Sequence, residues 1–266
     1  MLKDITLGQY FPGTSLAHKL DPRTKLILVV LYIVGLFCAN GFVSYALMAA
    51  LLVVSVKISG VAPKALMRGM KPVLFIICFT AILNIFYTPG VPLVQLWIFK
   101  ITKEGLTFAI KMAVRLSLLI LGSSIMTLTT TPTQLTDALE SLLRPLKKLH
   151  VPVHEISMMM SIALRFIPIL MEETDKIMKA QIARGADFES KNLIKKIKSM
   201  VPLLVPLFIS AFRRANDLAM AMEARCYRGG EGRTKMKPLV YKANDRIAYL
   251  VLLAFAVVCI LTRIYF

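Results

Sequence analysis

The chain has 266 residues, of which 57% are hydrophobic and 18% charged, with a mean hydropathy of +0.68. Soluble domains run at roughly 45–50% apolar and 25% charged residues; this balance excludes disorder, and the long apolar blocks argue against a single soluble core. The formal charge of +18 adds a cationic cytoplasmic side to that apolar body, and since no nucleic-acid-binding motif accompanies it, nucleic acid is not an expected partner.

Four cysteines, Cys38, Cys78, Cys226 and Cys259, have no CxxC spacing, which argues against a disulfide scaffold or a zinc site. His150 and His154 are four apart, but Pro152 between them interrupts a shared helical face, and no metal is expected.

Residues 1–23 are polar and mixed, without the apolar stretch of a removable signal peptide. Asp21-Pro22-Arg23 then opens a helix, Asp as N-cap and Pro in the first turn. Its apolar run Leu26–Ala39 breaks at Asn40-Gly41. A second run covers Phe42–Val56, and a basic loop with Lys57, Lys64, Arg68 and Lys71 leads to a third, Pro72–Tyr87. A fourth helix is predicted over Glu104–Thr129 and a fifth from Asp245 to about Ile264. All five reach the ~20 residues of a span with their flanks, the first two most tightly. The Lys/Arg-rich loops alternate with poor ones, so the N-terminus is expected in the cytoplasm and the C-terminus outside.

The segment between the last two spans holds 19 Lys and Arg and 11 Asp and Glu over residues 130–243, and the alternation puts it on the cytoplasmic side. Thr131-Pro132-Thr133-Gln134 reads as a capping box that starts an amphipathic helix, Pro132–Leu149. Two long helices follow, from near Pro152 to Arg184 and roughly Lys191–Arg225. Pro168, Pro202 and Pro206 are expected to kink them without ending them. The expected class is all-α: about five transmembrane helices with a cytoplasmic domain of long helices inserted before the last. The division is 1–130 (four spans), 131–243 (cytoplasmic) and 244–266 (last span).

Catalysis has little to stand on. The first three spans and the apolar body of the fifth contain no Asp, Glu or His, and GxxxxGK[ST], GxSxG and HExxH are all absent. Lys111 and Arg115 share a face of the fourth helix; they read either as intramembrane functional charges or, preferably, as side chains snorkelling near the outer interface. The two long helices end alike, in Ala183-Arg184-Gly185 and Ala224-Arg225-Cys226. One such Arg is an ordinary opponent of the helix dipole. Two of them suggest guanidinium plugs for carboxylate-lined grooves on partners. Methionines crowd the same helices, including Met158, Met159, Met160 and Met200. They are either ordinary packing or an adaptable sliding surface.

The segment His18-Lys19-Leu20-Asp21-Pro22-Arg23-Thr24-Lys25 and the two Ala-Arg ends, in this order, resemble the transmembrane T component of energy-coupling factor (ECF) transporters across essentially the whole chain. Leu20, Asp21, Pro22, Arg23 and Lys25 match its N-terminal motif. Cys226 departs from it, since Gly often stands there. The resemblance implies a non-catalytic scaffold in the lipid bilayer of a bacterial or archaeal cell, joining two cytoplasmic ABC-type ATPases to one substrate-binding S component. Ala183, Arg184, Gly185, Ala224, Arg225 and Cys226 would make the ATPase contacts. ATP and Mg2+ would be bound by the ATPases and no cofactor by this chain. ATP-driven closure would move the long helices against the S component to take up vitamins or other micronutrients. The apolar faces around Met159, Met160, Phe166, Leu170, Met200, Leu204 and Phe208 are expected to hold that component. The rival reading is a self-sufficient secondary carrier, which calls for inverted repeats and midplane ionisable groups that the sequence lacks.

Overall fold

Asp21 caps the first long helix as its chemistry requires: its carboxylate accepts from the Arg23 backbone N–H at 2.9 Å, and Pro22 takes the first helical position, where no N–H is needed. In the computed structural model this helix, α2, covers Pro22–Cys38 and follows a single turn, α1 (Leu16–Lys19). The structure describes residues 10–265 except 40, 91, 97–98, 187, 189–191, 231, 233, 235 and 237. Asn40, Lys191 and Arg233 therefore lie outside the described residues.

Gly41 caps α3 (Phe42–Ser59), which stops at Gly60, a left-handed residue with φ of 64°. Here the basic loop expected over 57–71 shrinks to a turn. Pro63 starts α4 (Pro63–Tyr87), so Lys64, Arg68 and Lys71 ride its first turns, and the helix continues through Pro72. Lys and Arg are good helix formers, and only the lack of apolar periodicity made this stretch look like loop.

Between α4 and α5 the chain forms a short antiparallel hairpin, β1 (Pro92–Leu96) and β2 (Phe99–Thr102). It is an addition to the predicted helices. Thr102 ends it by capping α5 (Lys103–Thr129), accepting from the Gly105 N–H at 3.0 Å while its hydroxyl donates to the Thr88 carbonyl at 2.9 Å.

Thr131 and Gln134 form the reciprocal capping box at the start of α6 (Pro132–Leu143): the Thr131 N–H donates to Gln134 Oε1 at 3.1 Å, and the Gln134 N–H to Thr131 Oγ1 at 3.3 Å. The helix predicted to Leu149 ends at Leu143 and tightens into a 3-10 turn, Arg144–Leu149. Pro145, which lacks an N–H and crowds the preceding turn, accounts for the change. Two long helices follow, α7 (Val153–Ala183) and α8 (Leu193–Ala224), and then α9 (Ala243–Tyr265).

The architecture is an all-α polytopic membrane protein. Among the described residues, four helices are long and apolar enough to cross a bilayer: Phe42–Ser59, Pro63–Tyr87, Lys103–Thr129 and Val153–Ala183. The last of these belongs to the segment that the sequence analysis assigned to the cytoplasm. At 17 residues, α2 falls slightly short.

The described residues divide into two compact units, one of residues up to 138 together with those from 239 on, and one of residues 139–238. In the first, α2, α3 and α5 enclose a core of Tyr32, Leu36, Tyr45, Met48, Leu52 and Leu118. Gly122 is required there, because a Cβ on it would run into the Tyr32 ring. In the second unit α7 packs against α8.

Candidate functional site

Both long helices end in the same hydrogen-bonded closure. At α7, Arg184 is the C-cap; the Gly185 N–H donates to the Ile182 carbonyl at 2.9 Å and the Ala186 N–H to the Gln181 carbonyl at 3.0 Å. At α8, Arg225 is the C-cap; the Cys226 N–H donates to Glu223 at 2.8 Å and the Tyr227 N–H to Met222 at 3.0 Å. This double closure is the Schellman motif, which satisfies carbonyls that the helix leaves unpaired.

Its third requirement is a left-handed residue just past the cap. Gly185 supplies it at φ of 86°, and Cys226 supplies it at 57° despite carrying a Cβ. Cys226 thus reproduces the glycine geometry. The backbone of the capping residue is alike at both ends, with φ of −91° and ψ of 9° at Arg184 and φ of −93° and ψ of 13° at Arg225. Arg184 and Arg225 are exposed, and among the described residues neither guanidinium forms a hydrogen bond or ion pair. Each projects a cation from the end of a helix whose dipole already places partial negative charge there.

The pairing of α7 with α8 decides where these ends lie. Pro206 has no N–H to give the Pro202 carbonyl four residues back, and Gln181 of α7 donates to that carbonyl at 3.4 Å. Farther along, Arg214 donates to Glu173 at 3.0 Å. As the contacts move back along α7 they advance along α8, so the helices are antiparallel. Arg184 stands one turn beyond Gln181, past the Pro202 level and away from Arg225, which lies 23 residues along α8 from Pro202. The two arginines are therefore roughly 35 Å apart at 1.5 Å per residue.

The start of α7 is tied to α6, and the chain just past the Arg225 end passes against it. Glu140 accepts from Ser157 at 3.2 Å and pairs with His154 Nδ1 at 3.0 Å, and Gly230 sits so close to the His154 ring that it has no room for a Cβ.

The predicted apolar face is divided. Met159, Met200, Leu204 and Phe208 are exposed, Phe208 at 63%, whereas Met160, Phe166 and Leu170 are half-buried. On α8 the exposed residues Ile194, Ile197, Val201, Leu204, Phe208 and Phe212 recur every three or four positions, forming one continuous stripe.

The N-terminal motif forms a junction of three helices. Asp21 and Arg23 pair through two contacts of 3.1 Å, and the Arg23 guanidinium covers the Tyr241 ring at 4.1 Å. Lys25 Nζ donates to the Thr129 carbonyl at 2.8 Å, capping the end of α5. Asp245 is fully buried; it accepts from the Asp21 N–H at 2.8 Å and the Lys242 N–H at 2.7 Å, tying the starts of α2 and α9 together. Leu20 and Pro22 complete this packed corner. Sequence reading marked Asp245 only as a helix start. Its one signal was an acidic residue at the polar edge of an apolar run.

Arg115 also turns inward rather than snorkelling. It donates to Tyr45 Oη at 2.9 Å and to the Ala39 carbonyl at 3.2 Å, closing the end of α2, while Lys111 is exposed. Among the described residues no group of three or more His, Cys, Asp or Glu could hold a metal ion.

The family described as CbiQ, cobalt transport protein, matches residues 13–236. Energy-coupling factor transporter transmembrane proteins EcfT are similar along the whole chain. The protein from Clostridium kluyveri is 55% identical, over 100% of this chain and 99% of its own. That from Acidaminococcus fermentans is 52% identical over 99% and 98%, and that from Bacillus subtilis 49% over 99% and 100%. The chain belongs to this family. It is a T component of an ECF transporter, and as a family member it is a multi-pass membrane protein that works within a complex.

Two outcomes follow from the site. Asp245→Ala leaves the buried Asp21 N–H and the part-buried Lys242 N–H without their acceptor and is expected to cost about 1–3 kcal/mol, read as a lower midpoint of thermal unfolding in detergent. Asp245→Asn, which keeps an oxygen acceptor, is expected to lose less. At the α8 end, Cys226→Gly removes a left-handed Cβ and Cys226→Val places a branched one there. Hydrogen exchange at the amides of 226 and 227 is expected to slow in the first and quicken in the second.

Proposed function

We propose that this T component is the coupling subunit of an ATP-driven, ABC-class importer, with Arg184 and Arg225 each docked in a groove of one of two cytoplasmic ATPases. The observation that carries the reading is the pair of identical helix closures, each aiming an unpaired guanidinium outward, at opposite ends of an antiparallel helix pair. A separation of roughly 35 Å suits two separate protein partners better than one small ligand. Each Arg meets a carboxylate or carbonyl cluster, where its planar fork of donors gives direction as well as affinity. The chain itself hydrolyses nothing and binds no cofactor; ATP and Mg2+ belong to the ATPases. Residues 131–243 and the N-terminus face the cytoplasm, as the Lys/Arg asymmetry favours.

The exposed apolar stripe on α8 and Met159 on α7 receive the S component, which carries the substrate specificity. Motion of the two Arg ends, imposed by ATPase closure, passes along α7 and α8 to that surface and releases substrate inward. Long helices transmit such a displacement because their backbone hydrogen bonds resist compression, and methionines at the surface repack as it shifts.

Truncating one partner of a buried, hydrogen-bonded charge pair costs roughly 2–5 kcal/mol, some thirtyfold to several thousandfold in affinity. Arg184→Ala or Arg225→Ala is expected to lower ATPase pull-down and substrate uptake accordingly, and the Glu variants to be worse. Arg228, an exposed residue beyond the helix end, serves as the control and is expected to matter little. An Arg184/Arg225 double alanine variant that still assembles and drives uptake overturns the coupling role.

The S-component face is tested separately. Single cysteines at Met159, Leu170 and Phe208 are expected to crosslink to the S component in the assembled transporter. Absence of crosslinks while the ATPase contacts survive reassigns that face.

A further inference from the structure

We infer that the cleft among α1, α2, α3, α5 and α9 seats an acyl chain of one anionic phospholipid drawn from the surrounding bilayer. The cleft has a volume of about 630 Å3, within the ~300–1,000 Å3 of small-ligand sites. Its walls are almost wholly apolar, with Leu28 and Val29 from α2, Leu51 and Val54 from α3, Ile125 from α5 and Val251 from α9. Val54, Ile58, Ile247 and Val251 line it and are also exposed, so it opens sideways onto the outer face of the helices.

The two ends of the cleft differ. One is bounded by Leu20, Lys25, Thr129 and Asn244, and the other by Tyr32 and Phe255 with no charged side chain. From Lys25 to Tyr32 on α2 and from Asn244 to Phe255 on α9 the lining spans roughly 10–16 Å of helix. That is about half the ~30 Å hydrocarbon thickness of a bilayer.

Charge gathers at the polar end alone. Lys19, next to Leu20, and Arg246, between Asn244 and Ile247, are both exposed. Lys25 commits one of its three N–H donors to Thr129. The nearby carboxylates are engaged: Asp21 with Arg23, and Asp245 with two backbone N–H groups.

A ligand with a long apolar body and one anionic end matches this asymmetry. A partner helix fits less well. Only about 10–16 Å of helix lines the cleft, roughly two to three helical turns, whereas a spanning partner helix presents about 30 Å of apolar length.

The test uses the complete transporter in mild detergent, with native mass spectrometry of lipids retained after exposure to phosphatidylglycerol or phosphatidylcholine. One phosphatidylglycerol per T component is expected, in preference to phosphatidylcholine. Lys19→Ala and Arg246→Ala are each expected to reduce that preference roughly fivefold at low salt. Ala248→Trp and Ser55→Phe fill the cleft from two different walls and are expected to expel the lipid while the subunits still co-elute. Equal retention of the two lipids by the unmodified complex overturns the inference. So does undiminished retention in a filled variant that assembles, or a photocrosslink from position 248 that reaches a partner subunit instead of lipid. Should neither filled variant assemble, the two alanine variants decide, and an unchanged lipid preference in both overturns it as well. None of these readouts depends on Arg184 or Arg225, so failure here and failure of the coupling role are distinguishable.

Discussion

The antiparallel pairing of α7 with α8 is the constraint on which the reading of this molecule depends. An antiparallel pair sends the C-terminal ends of its two helices in opposite directions. Two end motifs that are close relatives in sequence therefore come to lie far apart. Proline marks the register: without an N–H at Pro206, the Pro202 carbonyl lacks its helical donor, and Gln181 supplies one. The Arg214–Glu173 contact adds a second point half-way along. Both its side chains are about a third exposed, so its value lies in register more than in stability.

A different economy governs the unit built from α2, α3, α4, α5 and α9. Bilayer helices gain little from apolar contact with each other, because lipid solvates the same side chains equally well. Polar groups placed at helix ends do the joining instead. Asp245 joins α2 to α9, Lys25 joins α2 to α5, and Arg115 closes the end of α2 from the middle of α5. In each case a buried or half-buried side chain satisfies a backbone group that a helix terminus would otherwise leave unpaired, and such groups are costly away from water. The side chains of the N-terminal motif thus have a structural task, whereas among the described residues the Arg184 and Arg225 guanidinium groups have no partner.

Local rules were legible wherever their determinants are local. The Asp21 cap, the capping box at 131–134 and the continuation of α7 and α8 through their prolines all depend on residues within a turn or two. Failures came where a choice was settled at longer range. The basic stretch at 57–71 was helical because Pro63 starts a helix that the span continues, and the hairpin at 92–102 follows from cross-strand pairing that no short window displays. Asp245 and Arg115 could be seen as charges, but their partners lie up to 224 residues away. Sequence spacing cannot show which carbonyl they close. The Arg184 and Arg225 ends stood out because they occur twice, and their common backbone closure needed coordinates.

Cys226 shows how strongly that closure is held. A left-handed conformation carries a penalty for any residue with a Cβ, and Gly185 avoids it. The α8 end nevertheless adopts the same pair of hydrogen bonds, so their formation outweighs the strain at this position. Two carbonyls near the helix terminus gain donors, and a net hydrogen bond contributes about 0.5–1.5 kcal/mol, enough together to offset a penalty of about 1–2 kcal/mol. The balance is close, which makes the α8 end the softer of the two. Gly185 carries no such penalty, so the α7 end that bears Arg184 is the firmer of the two.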